Sequence, residues 1–344
     1  MTEKQWGTLV SVVRGEAIWP LRTAFIIDSP WLPNWAGHTI LDYFTNENIF
    51  LNDNLKAIHT FPETIFLRGF WSEFGMCTKP SAFGCVRIWG ENEFPFARKM
   101  LHSASDVEHP ERPDPRKHGL LPFVIKRLKH AQPEIEEAGH KIRFAVARGP
   151  LNIASFLMGA SEFMEALKTE PELMHRLLSI ITDFLVDWIG VQREAFPSID
   201  GIFLLDDIVG FVSRRDFEIF GLPYLQRAFG ADVTLKFFHN HAPSKASAPL
   251  LEEAGINLLN FGMQYKLTEM KAWTNNRIAL MGNIPPRDVL AEGTPTDVKR
   301  TVREVLNSLD DRSRLIISCG GGMPPNVPTG NIKALISTVA EETR

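Results

Sequence analysis

From about residue 140 to the C-terminus, short apolar runs alternate with stretches whose apolar residues recur every three or four positions. The short runs are residues 142–147 (IRFAVA), 201–205 (GIFLL), 234–238 (TLKFF), 256–261 (INLLNF), 278–281 (IALM) and 315–318 (LIIS). Their length and their β-branched and aromatic content are those of buried strands. The periodic stretches predict helices over 119–139, 161–169, 171–196, 214–229, 244–254, 267–274, 296–309 and 329–342. In the longest of these, Leu173, Leu177, Ile180, Ile181, Phe184, Leu185 and Trp188 line one face, and Pro171 suits the first turn.

Before residue 64 the pattern is broken by Trp19-Pro20, Pro30, Pro33 and Phe61-Pro62, and only 39–50 reads as a helix. Residues 17–28 hold enough apolar and β-branched positions for one strand, and 63–68 (ETIFLR) for another. Residues 69–86 read as a long Gly-, Phe- and Ser-rich loop, and 105–117 as a charged, Pro-rich connector.

Eight strands alternating with helices predict a parallel sheet with right-handed crossovers. Eight is the count of a (β/α)8 TIM barrel, an α/β fold, here with an irregular N-terminal extension. The expected division is an extension over 1–63, packed on a barrel over 64–344. A doubly wound open sheet is the second choice, weakened by the lack of any GxGxxG or GxxxxGK[ST] loop.

Composition narrows the function. Of 344 residues 44% are hydrophobic and 23% charged, the make-up of a globular protein. Lys plus Arg number 37 against 41 for Asp plus Glu, so no cationic excess points to nucleic acid. Cys77, Cys85 and Cys319 are too few for a disulfide framework and read as thiols or metal ligands. The first twenty residues lack a signal-peptide apolar region, and no run approaches the ~18 apolar residues of a membrane span, so the expected location is cytoplasmic. With 24 Phe and 8 Trp against 3 Tyr, the chain has material for a bulky core or an aromatic-lined cavity.

In a barrel the chemistry gathers at the C-terminal ends of the strands. At or just past the predicted strand ends are Arg148, Asp206, Asp207, His239, Asn240, His241, Asn260, Asn283 and Cys319. His239 and His241, two apart in extended chain, face the same side, and Cys319 ends a later strand. Three such ligands with one open position describe a catalytic zinc site, in which Asp207 or Glu218 could replace one member. A hydrogen-bonding histidine and a small buried cysteine are the plain alternatives. Asp206 and Asp207 point oppositely, so one lines the site, and a helix N-cap is the structural alternative for Asp207. Arg148 suits an anionic group, and Gly320-Gly321-Gly322 allows close backbone approach to a ligand. No GxSxG motif supports a serine hydrolase.

The run from Arg148-Gly-Pro-Leu-Asn-Ile through Met158-Gly159, the Asp206-Asp207 strand end and Phe217 followed by Pro223-Tyr224 form one set of marks. His239-Asn-His241, Gly282-Asn283-Ile284 and Cys319-Gly-Gly-Gly-Met-Pro-Pro-Asn-Val-Pro complete it. Together they resemble the uroporphyrinogen decarboxylase superfamily, clearest from residue 140 onward. The resemblance implies a (β/α)8 barrel and two branches, the haem-pathway decarboxylase and cobalamin-dependent methyltransferases. Of the decarboxylase's arginine-rich opening segment, residues 18–25 (IWPLRTAF) keep only Arg22. The zinc-thiol methyltransferases carry His-x-Cys and a later Cys; His239 matches the His, His241 stands at the first Cys, and Cys319 lies two positions before the second.

The methyltransferase branch, including members that demethylate methoxylated aromatics, is therefore the closer likeness. It implies transfer of a methyl group between a small donor and the corrinoid of a partner protein, because no cobalamin-binding DxHxxG segment occurs here. The expected catalytic residues are Asp206, Asp207 and His239; the expected substrate contacts are Arg148, Asn240, Asn283 and Gly321. The expected zinc ligands are His239, His241 and Cys319. Expected partners are a small methyl donor, a corrinoid protein and a second copy in a homodimer, with no nucleic acid and no membrane. The alternatives are porphyrinogen decarboxylation and a non-catalytic small-molecule binding barrel.

Overall fold

The structure, a computed structural model, describes residues 1–27, 30–67, 69–108 and 110–344. Expected strand ends at Asp28 and Arg68 lie outside the described residues.

The N-terminal segment is more helical than its sequence pattern predicts. Helix α1 (Glu3–Arg14) opens with a capping box: Gln5 N–H donates to Thr2 Oγ1, Thr2 N–H donates to Gln5 Oε1, and Gly15 closes the helix at φ 83°. Strand β1 (Arg22–Ile26) is followed by α2 (Leu32–Ala36), α3 (Ile40–Thr45) and α4 (Glu47–Thr60). The helix expected over 39–50 is two helices, divided at Asn46, whose side chain caps α4. Strand β2 (Ile65–Leu67) leads into the expected long loop, which holds α5 (Thr78–Ala82) and is followed by a hairpin of β3 (Arg87–Ile88) and β4 (Phe96–Ala97).

Helix α6 (Leu121–Glu137) precedes β5 (Phe144–Arg148), α7 (Pro150–Met158), α8 (Ala160–Thr169) and the 25-residue α9 (Pro171–Ala195). Strand β6 (Gly201–Leu205) follows, then α10 (Arg214–Asp216), which passes through a π-turn over Phe217–Gly221 into α11 (Leu222–Ala228). The rest is β7 (Leu235–Asn240), β8 (Leu258–Phe261), α12 (Leu267–Trp273), β9 (Ala279–Ile284), α13 (Pro295–Asn307), β10 (Leu315–Cys319) and α14 (Thr329–Glu342). Residues 244–254 form turns around a short 3₁₀ segment at Ala248–Leu250 instead of the expected helix.

Eight strands pair in parallel in the order β2-β1-β10-β9-β8-β7-β6-β5. The sheet curls into a (β/α)8 TIM-barrel fold, with a seam between β2 and β5 across which no pairing occurs among the described residues. Because β1 lies between β2 and β10, the boundary expected at residue 63 falls inside the sheet. Among the described residues no helix is long and apolar enough to cross a membrane.

Register decides which side chains face the interior. Partners across a parallel ladder share a face, and neighbours along a strand alternate. Phe144, Phe203 and Phe237 lie on one face; Phe203 stacks on Phe237 at 4.4 Å, and Trp6 of α1 meets Phe144 edge-on at 5.4 Å. Phe238, of opposite parity, packs on Phe229 just past α11. The first face is therefore the barrel interior, with Trp6 beneath its N-terminal end. Val146, Phe203, Phe237, Leu258, Met281 and Ile316 continue that face and are all buried. At ~1.5–3 kcal/mol per buried large apolar side chain, this interior is a main source of stability.

Candidate functional site

At the C-terminal end of the barrel the same parity separates polar residues that are adjacent in sequence. On β6, Leu205 faces inward and Asp206 turns outward to the start of α7. Helix α7 begins at Gly149, which has no side chain to cap it, with Pro150 in its first turn. Asp206 supplies the cap from the neighbouring strand: Leu151 N–H donates to Asp206 Oδ2 at 2.9 Å. A Cβ on Gly149 would lie 2.4 Å from that same oxygen, so close packing here requires glycine. Asp206 is fully buried, and burial pushes its carboxyl up to about 7. The amides of α7 oppose the shift and the charge of Asp207 adds to it. Asp206 holds the fold at this point and does not open to the mouth.

Asp207 is the carboxylate at the mouth. Its side chain is about one-third exposed, His241 N–H donates to its Oδ1 at 2.6 Å, and the same oxygen lies 3.9 Å from His239 Nε2. His239 belongs to β7, one residue beyond the strand end expected from sequence, and faces the interior in register with Leu205 and Asn260. Its Nδ1 is 2.7 Å from Asn260 Oδ1. Asn260 is fully buried and donates through Nδ2 to Met281 O at 2.9 Å and Cys319 O at 3.4 Å. Arg148 ends β5 on the same interior face, its guanidinium 6.0 Å from the Phe156 ring.

The other expected contacts are built into the turns around the mouth. Asn240 is of outward parity; its Oδ1 accepts from Ala242 N–H and its Nδ2 donates to Ser244 Oγ, shaping the turn out of β7. Asn283 donates to Tyr265 O at 2.6 Å, tying β9 to the loop after β8. Gly321, at φ 94°, lies under the His241 ring, and a Cβ there would be 3.0 Å from His241 Cδ2.

The expected zinc ligands do not make a metal site. Ile316 shares the interior face with Met281, so Ser318 points inward and Cys319 outward, away from the face that His239 occupies. The Cys319 thiol is fully buried and donates to Gly321 O, and burial pushes its pKa up to about 12. Glu218 pairs with Arg214 on α10. Among the described residues no three His, Cys, Asp or Glu side chains are grouped to hold a metal ion. The set His239, His241 and Cys319 therefore does not fit zinc.

Asn260 was legible as a strand-end residue, but its partners were not. Ser318, buried on the interior face, was hidden because the apolar run ends at it.

A family model for uroporphyrinogen decarboxylase (URO-D) matches residues 34–342. The uroporphyrinogen decarboxylase of Psychromonas ingrahamii is 25% identical over 278 residues, 77% of this chain and 76% of that protein. That of Chlorobaculum tepidum is 25% identical over 257 residues, 71% of each chain. Among solved structures, a methyltransferase from Methanosarcina mazei superposes with TM-score 0.82 at 19% identity, covering 98% of both chains. A B12-independent methionine synthase from Shewanella superposes with TM-score 0.57 at 14% identity, covering 95% of this chain and 98% of the other. At these identities the structural likeness is one of fold.

Proposed function

The chain belongs to the uroporphyrinogen decarboxylase family, and within it we propose a methyltransferase that takes the methyl group of a small donor, such as a methoxylated aromatic, to the corrinoid of a separate protein. The observation that carries this reading is the make-up of the mouth: one Asp207–His239 pair, with Arg148 as the cation that the described strand ends contribute. A tetrapyrrole with eight carboxylates calls for several cations. Arg22 does not add one, because it begins β1 and so lies at the opposite end of the barrel. The full-length overlap with the Methanosarcina methyltransferase fold supports the same choice.

In this reaction the bond between the methyl carbon and the donor's oxygen breaks, the electron pair stays on oxygen, and the reduced corrinoid of the partner would supply the pair for the methyl carbon's new bond. An alkoxide or phenolate is a poor leaving group, so the oxygen needs a proton as the bond breaks. His239 in its imidazolium form supplies it from Nε2, which lies 3.9 Å from Asp207 Oδ1. Arg148 suits a carboxylate on the aromatic ring and would orient the donor.

The test is to incubate the protein with methoxybenzoates and chemically reduced cobalamin, following release of the phenol and the spectral change of the corrinoid. A parallel sample receives uroporphyrinogen. Phenol release that His239→Gln abolishes supports the reading. Loss of carboxylates from the porphyrinogen would replace it with the family's decarboxylation, and ligand binding without turnover in either arm would point to a binding barrel.

A further inference from the structure

We infer that Asn260 is a positioning residue that fixes which nitrogen of His239 faces the mouth of the barrel bearing its lone pair. The inference rests on His239 being the working histidine of the proposed site.

The amide of Asn260 has only one workable orientation. Its Nδ2 lies 2.9 Å from Met281 O and 3.4 Å from Cys319 O, both acceptors. Turned over, the amide would set its oxygen against the Met281 carbonyl at 2.9 Å and aim an N–H at His239. The contacts on β9 and β10 thus leave Oδ1 as the atom that meets His239 Nδ1 at 2.7 Å. An oxygen there can only accept, so the proton of neutral His239 resides on Nδ1, and Nε2, the nitrogen nearest Asp207, carries the lone pair. When His239 is protonated, the added proton is on Nε2, and Nδ1–H stays on Asn260.

Burial makes the arrangement strict, since neither the amide nor Nδ1 can exchange its partner for bulk water. Four strands are involved, β7 and β8 through their side chains, β9 and β10 through backbone carbonyls. The site's proton position is thereby tied to the barrel's own framework.

The test uses ¹⁵N-histidine-labelled full-length protein at pH 8, with long-range ¹H–¹⁵N correlations reporting which ring nitrogen is protonated. His239→Gln identifies the signal among the ten histidines. The expected wild-type pattern is Nδ1–H. In Asn260→Ala the population should move toward Nε2–H, and turnover should fall about 10- to 100-fold with KM little changed. A wild-type Nε2–H pattern overturns the inference, as does a folded Asn260→Ala that keeps Nδ1–H. The wild-type spectrum needs only a folded His239→Gln for its assignment, and no substrate. Failure of the methyl-transfer reading therefore leaves this result standing, and the reverse also holds.

Discussion

At the junction of β6 and β7, Asp207 and His239 meet at the mouth of the barrel, one partly exposed and the other on the interior face. At the end of β10, Cys319 is fully buried with its thiol on a backbone carbonyl two residues on. Both places end a strand in a residue type capable of catalysis. They differ by one step of strand alternation: His239 has interior parity and Cys319 does not. Adjacent Asp206 and Asp207 repeat the lesson within a single strand end, one carboxylate capping α7 and the other facing the histidine. A polar residue after an apolar run is therefore only half a site prediction; its parity is the other half.

The largest effect that would sharpen this contrast is on turnover. His239→Ala and Asp207→Ala should each lower turnover of a methoxylated donor by ~10²–10⁴ with the circular dichroism spectrum unchanged, the range general acid catalysis supplies. Cys319→Ser should stay within a few-fold of wild type. Stoichiometric zinc by plasma mass spectrometry, lost on changing Cys319, would break the contrast.

Next come effects on stability at the buried carboxylate. Gly149→Ala drives a methyl group into Asp206 and should cost about 1–3 kcal/mol in urea unfolding. Asp206→Ala removes the cap of α7 and should cost ~1–2 kcal/mol. If either matched wild type in stability while losing turnover, Asp206 would belong to the chemistry instead.

The pH dependence is subtler. The Asp206 carboxyl is raised from an ordinary 3.8 to about 7 in the fold. Between those values the folded chain keeps a proton that the unfolded chain releases, so this group's contribution to stability is full below about pH 4. It falls as pH rises and is lost above about pH 7. Asp206→Asn should flatten that part of the Tm profile between pH 4 and 8. An unchanged slope would show that other groups set it.

The smallest expected change is at the β10 loop. Gly321 has φ 94° beneath the His241 ring, so Gly321→Ala should lower stability by roughly 1 kcal/mol and leave the tautomer of His239 as it is. A change in that tautomer would mean the two strand ends are coupled.

The sequence by itself determined the alternation of elements after residue 140, because runs of apolar residues and helical periodicity are local properties that burial on both faces of a parallel sheet enforces. It also determined which residue types would crowd one end of the barrel, since those follow directly from where each apolar run stops. Helices α1, α2 and α7 were illegible: α1 mixes Gly7 with polar positions, and α7 borrows its cap from Asp206, 57 positions after Gly149. Tertiary structure alone decided that Asp206 is a cap, that Cys319 faces away from His239, and that Asn260 meets His239. Those outcomes depend on register between strands, and register is set by the closing of the whole sheet, which no single run of sequence encodes.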